Sequence, residues 1–124
     1  MVDHIPAVLN DHPLAGDSLA FSLADEIETL EASTEAGGRN AITLLKENGT
    51  SVVLIAMDKG NRIAEHQAPG VVTIHVLKGH IEITGNDRTI AGRPGTLLAF
   101  GPAIVHSLHA SEASAVLLTV SPPA

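Results

Sequence analysis

The spacing of hydrophobic positions is helical in one short part of the chain and strand-like in the rest. Leu23, Ile27 and Leu30 recur at intervals of three and four residues, the spacing of one face of a helix. Ser22, directly before them, is a residue type that caps helix N-termini. The pattern predicts a short amphipathic helix over residues 22–33 whose apolar stripe packs against the rest of the protein.

From Asn40 onward, short apolar and β-branched segments alternate with turn residues. Asn48-Gly49 favours a tight hairpin turn, and Gly85-Asn86-Asp87 predicts a second one. Because no helix-length pattern interrupts these segments, the pattern favours an all-β barrel or sandwich over crossover-linked parallel strands. The predicted strands lie near residues 41–46, 51–58, 62–68, 71–78, 80–84, 87–91, 96–100, 105–110 and 114–120.

The length of 124 residues predicts one structural domain. Residues 1–20 show no sustained periodicity and are interpreted as an irregular arm. We therefore divide the domain into an arm with its short helix over residues 1–39 and a barrel over residues 40–124.

Composition excludes several classes of function. The net charge is −7 with only seven basic residues, which argues against nucleic-acid binding. The chain contains no Trp and no Tyr, so it lacks most of the rings on which bases or sugars stack. It contains no Cys, which excludes disulfides and thiolate metal sites.

No apolar run approaches the 18 or more residues of a membrane span, so we expect no membrane partner. The first residues lack the basic start and apolar stretch of a secretory signal. These two features predict a cytoplasmic protein.

Two stretches, residues 60–79 and 95–110, contain glycines and histidines at distinctive intervals. In the first, five residues separate Gly60 from His66. In the second, Gly95 precedes His106 by eleven positions. These stretches resemble the two motifs of the cupin superfamily, which are Gly-x5-His-x-His-x3–4-Glu-x6-Gly and Gly-x5-Pro-x-Gly-x2-His-x3-Asn. The resemblance covers about residues 41–120 and implies a cupin jelly-roll barrel, the double-stranded β-helix.

The resemblance is incomplete where the metal ligands of the family stand. Ala68 occupies the position of the second His, and Val72 occupies that of the Glu. Of the four family ligands, only His66 and His106 are present in this chain. Oxygen-activating sites use two His and a carboxylate, and structural zinc sites use four protein ligands. We therefore expect no metal cofactor, or a weakly held divalent transition metal on His66 and His106.

Three further histidines do not complete the set. His75 and His109 lie three residues from Val72 and His106, so strand alternation turns them to the opposite face. His80 follows the turn residue Gly79, where alternation predicts nothing. We interpret all three as surface or interface residues.

The resemblance leaves three hypotheses for function. The first is a small-molecule-binding cupin of unassigned ligand, without a tightly bound metal. The second is a metal-dependent dioxygenase- or isomerase-like cupin with an incomplete His set, and the third is a non-catalytic interaction module. Whether any reaction is catalysed stays open. Barrel openings favour ligand sites with apolar walls and a few polar groups. The predicted pocket residues are His66, His106, Ile63, Ala68, Val72, Ile74, Val76, Leu98 and Phe100.

The strands also suggest self-association. Cupins commonly pair through strands, and Thr73 and Leu77 are predicted to face outward, where they would be buried against a second copy. We therefore expect a homodimer, an unknown small organic ligand and no nucleic-acid partner.

Overall fold

The computed structural model describes residues 18–123, so most of the predicted arm lies outside the described residues. The predicted helix is confirmed as α1, Leu23–Ala32. Ser22 caps it, since its Oγ accepts a hydrogen bond from the Asp25 amide at 3.4 Å. Within residues 18–123, no helix is long and apolar enough to cross a membrane.

Nine strands follow α1, and each corresponds to one of the nine predicted segments. Most of their ends differ from the predicted ends by one or two residues. Their bounds are β1 Arg39–Glu47, β2 Thr50–Met57, β3 Arg62–His66, β4 Val72–Lys78, β5 Ile81–Gly85, β6 Arg88–Gly92, β7 Leu97–Phe100, β8 His106–Ala110 and β9 Ser114–Val120.

The strands form two antiparallel sheets, one in the order β1-β2-β9-β4-β7 and one in the order β3-β8-β5-β6. Asn48 and Gly49 connect β1 to β2 with φ values of 49° and 83°, as the hairpin pattern predicts. In the second turn, the left-handed residues are Asn86 and Asp87, with φ values of 51° and 61°. Gly85 is the last residue of β5. The predicted all-β jelly-roll barrel with one short N-terminal helix is confirmed.

The main core lies between the two sheets. The five-stranded sheet turns the alternate residues of β4 inward, and the four-stranded sheet opposes them with β5 and β8. This alternation removes the inward face of these strands from water. The buried members of this core are Ile55, Met57, Val72, Ile74, Val76, Ile81, Ile83, Leu108, Ala110 and Val116.

A second apolar cluster covers the outer face of the five-stranded sheet. Leu30 of α1 packs there against Leu54 and Ala56, so β2 is buried on both of its faces. The predicted packing of the helical stripe is thereby confirmed. Leu77 faces outward, as predicted, and is partly buried against this cluster. Its expected contact with a second copy stays a prediction.

Candidate functional site

His66 and His106 lie directly opposite each other on neighbouring strands. They are register partners of β3 and β8 in the four-stranded sheet. Their ring centroids are 4.1 Å apart, and the ring planes are inclined by 64°. The structure therefore brings together the two histidines that the sequence motifs single out, although they are forty positions apart in the chain.

An irregularity in β3 sets the direction of His66. The β3–β8 register shifts between Ile63 and His66. The three steps along β3 from Ile63 to His66 pair with only two steps along β8, from Leu108 to His106. Simple alternation would place Ile63 and His66 on opposite faces of the strand. The extra residue of the shift lets Ile63 pack against the main core while His66 pairs with His106.

His106 is the buried member of the pair, with 1% of its surface exposed. Its Nδ1 lies 3.1 Å from the carbonyl oxygen of Ile104. A carbonyl oxygen only accepts, so Nδ1 carries the proton and donates it. The other ring nitrogen, Nε2, is buried and has no hydrogen-bond partner among the described residues. A buried acceptor without a partner is uncommon in folded proteins, so this nitrogen needs an explanation.

Burial lowers the pKa of His106 below its ordinary value, because the charged ring would lose its solvation. The hydrogen bond to Ile104 acts in the opposite direction, and the nearby His66 ring lowers the pKa further. His106 is therefore neutral at pH 7. His66 is exposed, and its Nδ1 donates to the carbonyl of Ala64 at 3.0 Å.

Phe100 and Gly85 hold the buried ring in place. The Phe100 ring stacks on His106 with a centroid distance of 4.9 Å and an interplanar angle of 3°. Gly85 is the β5 register partner of His106, and a Cβ added to it would collide with the Phe100 ring. The sequence analysis identifies Phe100 as a wall residue but treats Gly85 only as part of a turn. The β5–β8 register is the signal that reveals the second role of Gly85.

The predicted wall residues share one environment. Val72 is the β4 register partner of Phe100, so an apolar pair stands at the family's glutamate position. Val72, Ile74 and Val76 belong to the main core. The remaining predicted wall residues are partly buried and pack against this core, namely Ile63, Ala68, Leu98 and Phe100.

A cavity of about 290 Å³ is lined by residues that neighbour the histidines in sequence or register, although neither His66 nor His106 lines it. Its lining includes Glu65, next to His66, Ile104, whose carbonyl holds His106, and Gly85, opposite His106. Ala103 also lines it and has a φ of 62°, at the position where the cupin motif has glycine. The Ala103 amide donates to the Ala68 carbonyl at 2.8 Å, which joins the loop before β8 to the segment after β3.

The residues of this site do not fit a metal centre of three or four protein ligands. Two imidazoles are present, but Ala68 and Val72 contribute no donor atoms. Within residues 18–123, no group of three or more His, Asp or Glu side chains is placed to hold a metal ion. The donor set therefore falls short of what oxygen-activating or structural sites require.

The remaining described histidines lie elsewhere. His75 and His109 occupy the alternate, half-buried positions of β4 and β8, as strand alternation predicts. His109 Nδ1 lies 2.9 Å from a Glu82 carboxylate oxygen, and His80 Nδ1 lies 2.7 Å from the Ser111 hydroxyl. These two histidines therefore have side-chain partners on the outer surface, unlike the central pair.

Solved structures with this fold are numerous. A conserved protein of unknown function from Streptococcus pyogenes superposes with a TM-score of 0.75 at 24% identity, over 99% of this chain and 97% of that one. A Klebsiella pneumoniae protein with a double-stranded β-helix domain gives 0.71 at 24% identity, over 86% and 91%. A cupin superfamily protein from Desulfitobacterium hafniense gives 0.70 at 17% identity, over 73% and 83%.

Comparison with curated protein sequences finds no significant match. At the level of families, residues 48–123 match the AraC-like ligand binding domain. The matched region is more than half of the chain and contains both histidine motifs, the Phe100 wall and the cavity beside them. The chain is therefore a small cupin protein that belongs to the AraC-like ligand-binding domain family.

Proposed function

We propose that this protein binds a small organic ligand at His66 and His106, without a tightly held metal. The observation that carries the proposal is the buried Nε2 of His106, which has no hydrogen-bond partner among the described residues and lies in an apolar surround. Leaving a buried polar atom unpaired costs roughly 1–3 kcal/mol. A ligand that satisfies this atom recovers that cost on binding.

The test is to identify what the purified protein carries. Native mass spectrometry and elemental analysis of protein purified without added metal are expected to reveal an organic ligand at up to one equivalent and no stoichiometric metal. His106→Phe is expected to lose the ligand, whereas His75→Phe, on the outer side of β4, is expected to keep it. Equal retention by both variants contradicts the proposal.

The metal-dependent alternative is supported by one feature, the two neighbouring imidazoles. With two protein ligands, a metal would be held weakly, so mild chelation is expected to remove it without unfolding the barrel. A stoichiometric metal that resists chelation would overturn the proposal of a metal-free site. Absence of any ligand, together with unchanged behaviour of His106→Phe, would favour the interaction module.

We also propose that the protein forms a homodimer through the β7 edge of the five-stranded sheet. Leu97 of β7 is 65% exposed, and an edge strand offers unpaired backbone groups to a second chain. Sedimentation at micromolar concentration is expected to give twice the monomer mass. Leu97→Lys is expected to give a monomer, whereas Val105→Lys, an exposed apolar residue of the loop before β8, is expected to stay dimeric. A monomeric wild-type protein overturns this proposal.

A further inference from the structure

We propose that the site selects ligands that carry a hydrogen-bond donor. An O–H or N–H group of the ligand donates to an imidazole nitrogen that carries no proton. This inference rests on the proposed ligand-binding function and specifies its chemistry. It excludes an anionic group as the part of the ligand that His106 recognises.

The backbone sets the tautomer of both rings in the same way. In each case Nδ1 faces the carbonyl oxygen of the residue two positions earlier, Ala64 for His66 and Ile104 for His106. Each Nδ1 therefore carries the proton, and in a neutral ring each Nε2 then has a lone pair and no proton. The two side chains present acceptors and leave no free donor to a ligand.

The surroundings of His106 strengthen this selection. His106 is 1% exposed, and the Nδ1 proton is already donated to the Ile104 carbonyl, so Nε2 is the ring atom that is left to a ligand. The described hydrogen bonds and ion pairs bring no Lys or Arg to either ring. A carboxylate or phosphate would place its negative charge against the lone pair of Nε2 in an apolar surround. A hydroxyl or amide group would instead donate a hydrogen bond to Nε2, which has no other donor.

In the proposal, a ligand reaches this acceptor past His66. His106 is buried under the rings of His66 and Phe100, and of the two histidines only His66 is exposed. Exposed side chains change rotamer within picoseconds to nanoseconds. In the proposal, rotation of His66 opens the path from the cavity of about 290 Å³ to Nε2. A benzene-sized ring fits a cavity of about 150 Å³, so a substituted ring has a suitable size for a probe.

The first measurement is the tautomeric state of the full chain labelled with nitrogen-15. Two-bond nitrogen–proton correlation spectra at pH 7.5 are expected to show a protonated Nδ1 and a bare Nε2 in the His106 ring. A spectrum in which Nε2 of His106 carries the proton overturns the proposal without any ligand or variant.

The second measurement titrates the same sample with four probes of similar size. Benzyl alcohol carries an O–H donor and benzamide an N–H donor, whereas methyl benzoate has no donor and benzoate is an anion. The two donors are expected to shift the Nε2 signal of His106 and to bind about tenfold more tightly than the other two. A larger shift of the Nε2 signal with benzyl alcohol than with benzamide indicates a hydroxyl ligand, and the reverse order indicates an amide ligand.

Variants assign the response to the site. His106→Phe keeps a flat ring but removes the acceptor, so donor binding, followed through His66, is expected to be lost. The matched change His75→Phe is expected to leave it unchanged. Tight binding of benzoate or methyl benzoate would overturn donor selection but leave the ligand site standing. No response to either donor at millimolar concentration overturns donor selection, and the co-purified ligand then decides the proposed function separately.

Discussion

Two pairs of polar side chains, one inside the barrel and one outside, show how differently the same residue type is used in this protein. On the outer face of the four-stranded sheet, His109 of β8 faces the Glu82 carboxylate at 2.9 Å. Three residues earlier on the same strand, His106 faces inward and has a buried Nε2 with no partner among the described residues. The outer histidine has its partner in the protein, whereas Nε2 of the inner one has none among the described residues.

The comparison teaches that an unsatisfied group, more than a cluster of charges, marks the candidate site. A groove of about 490 Å³ on the outer face contains Arg62, Glu82 and His109, and it is larger than the cavity beside His106. Its His–Glu pair is open to solvent, where ion pairs contribute little. His106 combines burial, a fixed tautomer and the stacked Phe100 ring, which together make a hydrogen bond from a ligand to its Nε2 valuable.

The largest expected effect comes from filling the space beside the inner ring. Gly85→Ala forces the new Cβ against Phe100 and is expected to lower the free energy of unfolding by about 1–3 kcal/mol, measured by urea denaturation. Gly101→Ala is the matched control, because a Cβ there meets no atom within 4 Å. It is expected to be neutral or slightly stabilising.

The double variant Gly85→Ala/Phe100→Ala separates this collision from any general effect of alanine in β5. Once the ring is absent, the added methyl group is expected to cost almost nothing relative to Phe100→Ala alone. A cost of Gly85→Ala as small as that of Gly101→Ala would mean that Phe100 does not depend on the glycine.

A smaller effect, of opposite sign, is expected at the inner histidine itself. His106→Phe removes a buried acceptor without a partner and is expected to raise the free energy of unfolding by about 1 kcal/mol. His109→Phe, on the outer face, is expected to change it by less than about 0.5 kcal/mol. Chemical denaturation of both variants checks the difference. If His106→Phe proves the less stable of the two, loss of the Nδ1 hydrogen bond to the Ile104 carbonyl outweighs removal of the unpaired Nε2.

The smallest effects are expected in the pH dependence of stability. The inner histidine, His106, and the outer carboxyl group, Glu82, affect stability in different pH ranges. The pKa of His106 is lowered from 6.5, so the unfolded chain takes up its proton first and stability falls as the pH drops below that value. The hydrogen bond from His109 lowers the pKa of Glu82 from 4.5. The contribution of Glu82 to stability is present above pH 4.5 and is lost as the pH falls through the pKa of Glu82 in the folded protein.

Urea midpoints measured across this pH range distinguish the two windows. His106→Phe is expected to remove the loss of stability that begins as the pH drops below 6.5. Glu82→Gln is expected to reduce only the loss of stability below pH 4.5. Asp58, whose pKa is lowered by the hydrogen bond from the Gly37 amide, contributes to the acidic window in both variants. An unchanged upper window in His106→Phe would show that another group titrates there.

The local pattern of the sequence was enough to predict the elements of this fold. Helical spacing of Leu23, Ile27 and Leu30, and the alternation of short apolar segments with turns, located α1 and all nine strands. These patterns are reliable because each element needs one apolar face, and the spacing of apolar residues within the element itself defines that face. The motif spacing likewise identified His66 and His106, which the structure places in contact.

What the tertiary structure alone decided depends on how strands align across the sheets. Three features arise from contacts between distant segments: the shift in β3 that gives Ile63 and His66 their directions, the space that Gly85 leaves for Phe100, and the packing of α1 on the outer face of β2. Periodicity within one strand contains no information about the register of its neighbour. The sequence by itself therefore identified the two histidines, but only packing determined that one is exposed and that the other is buried with a bare nitrogen.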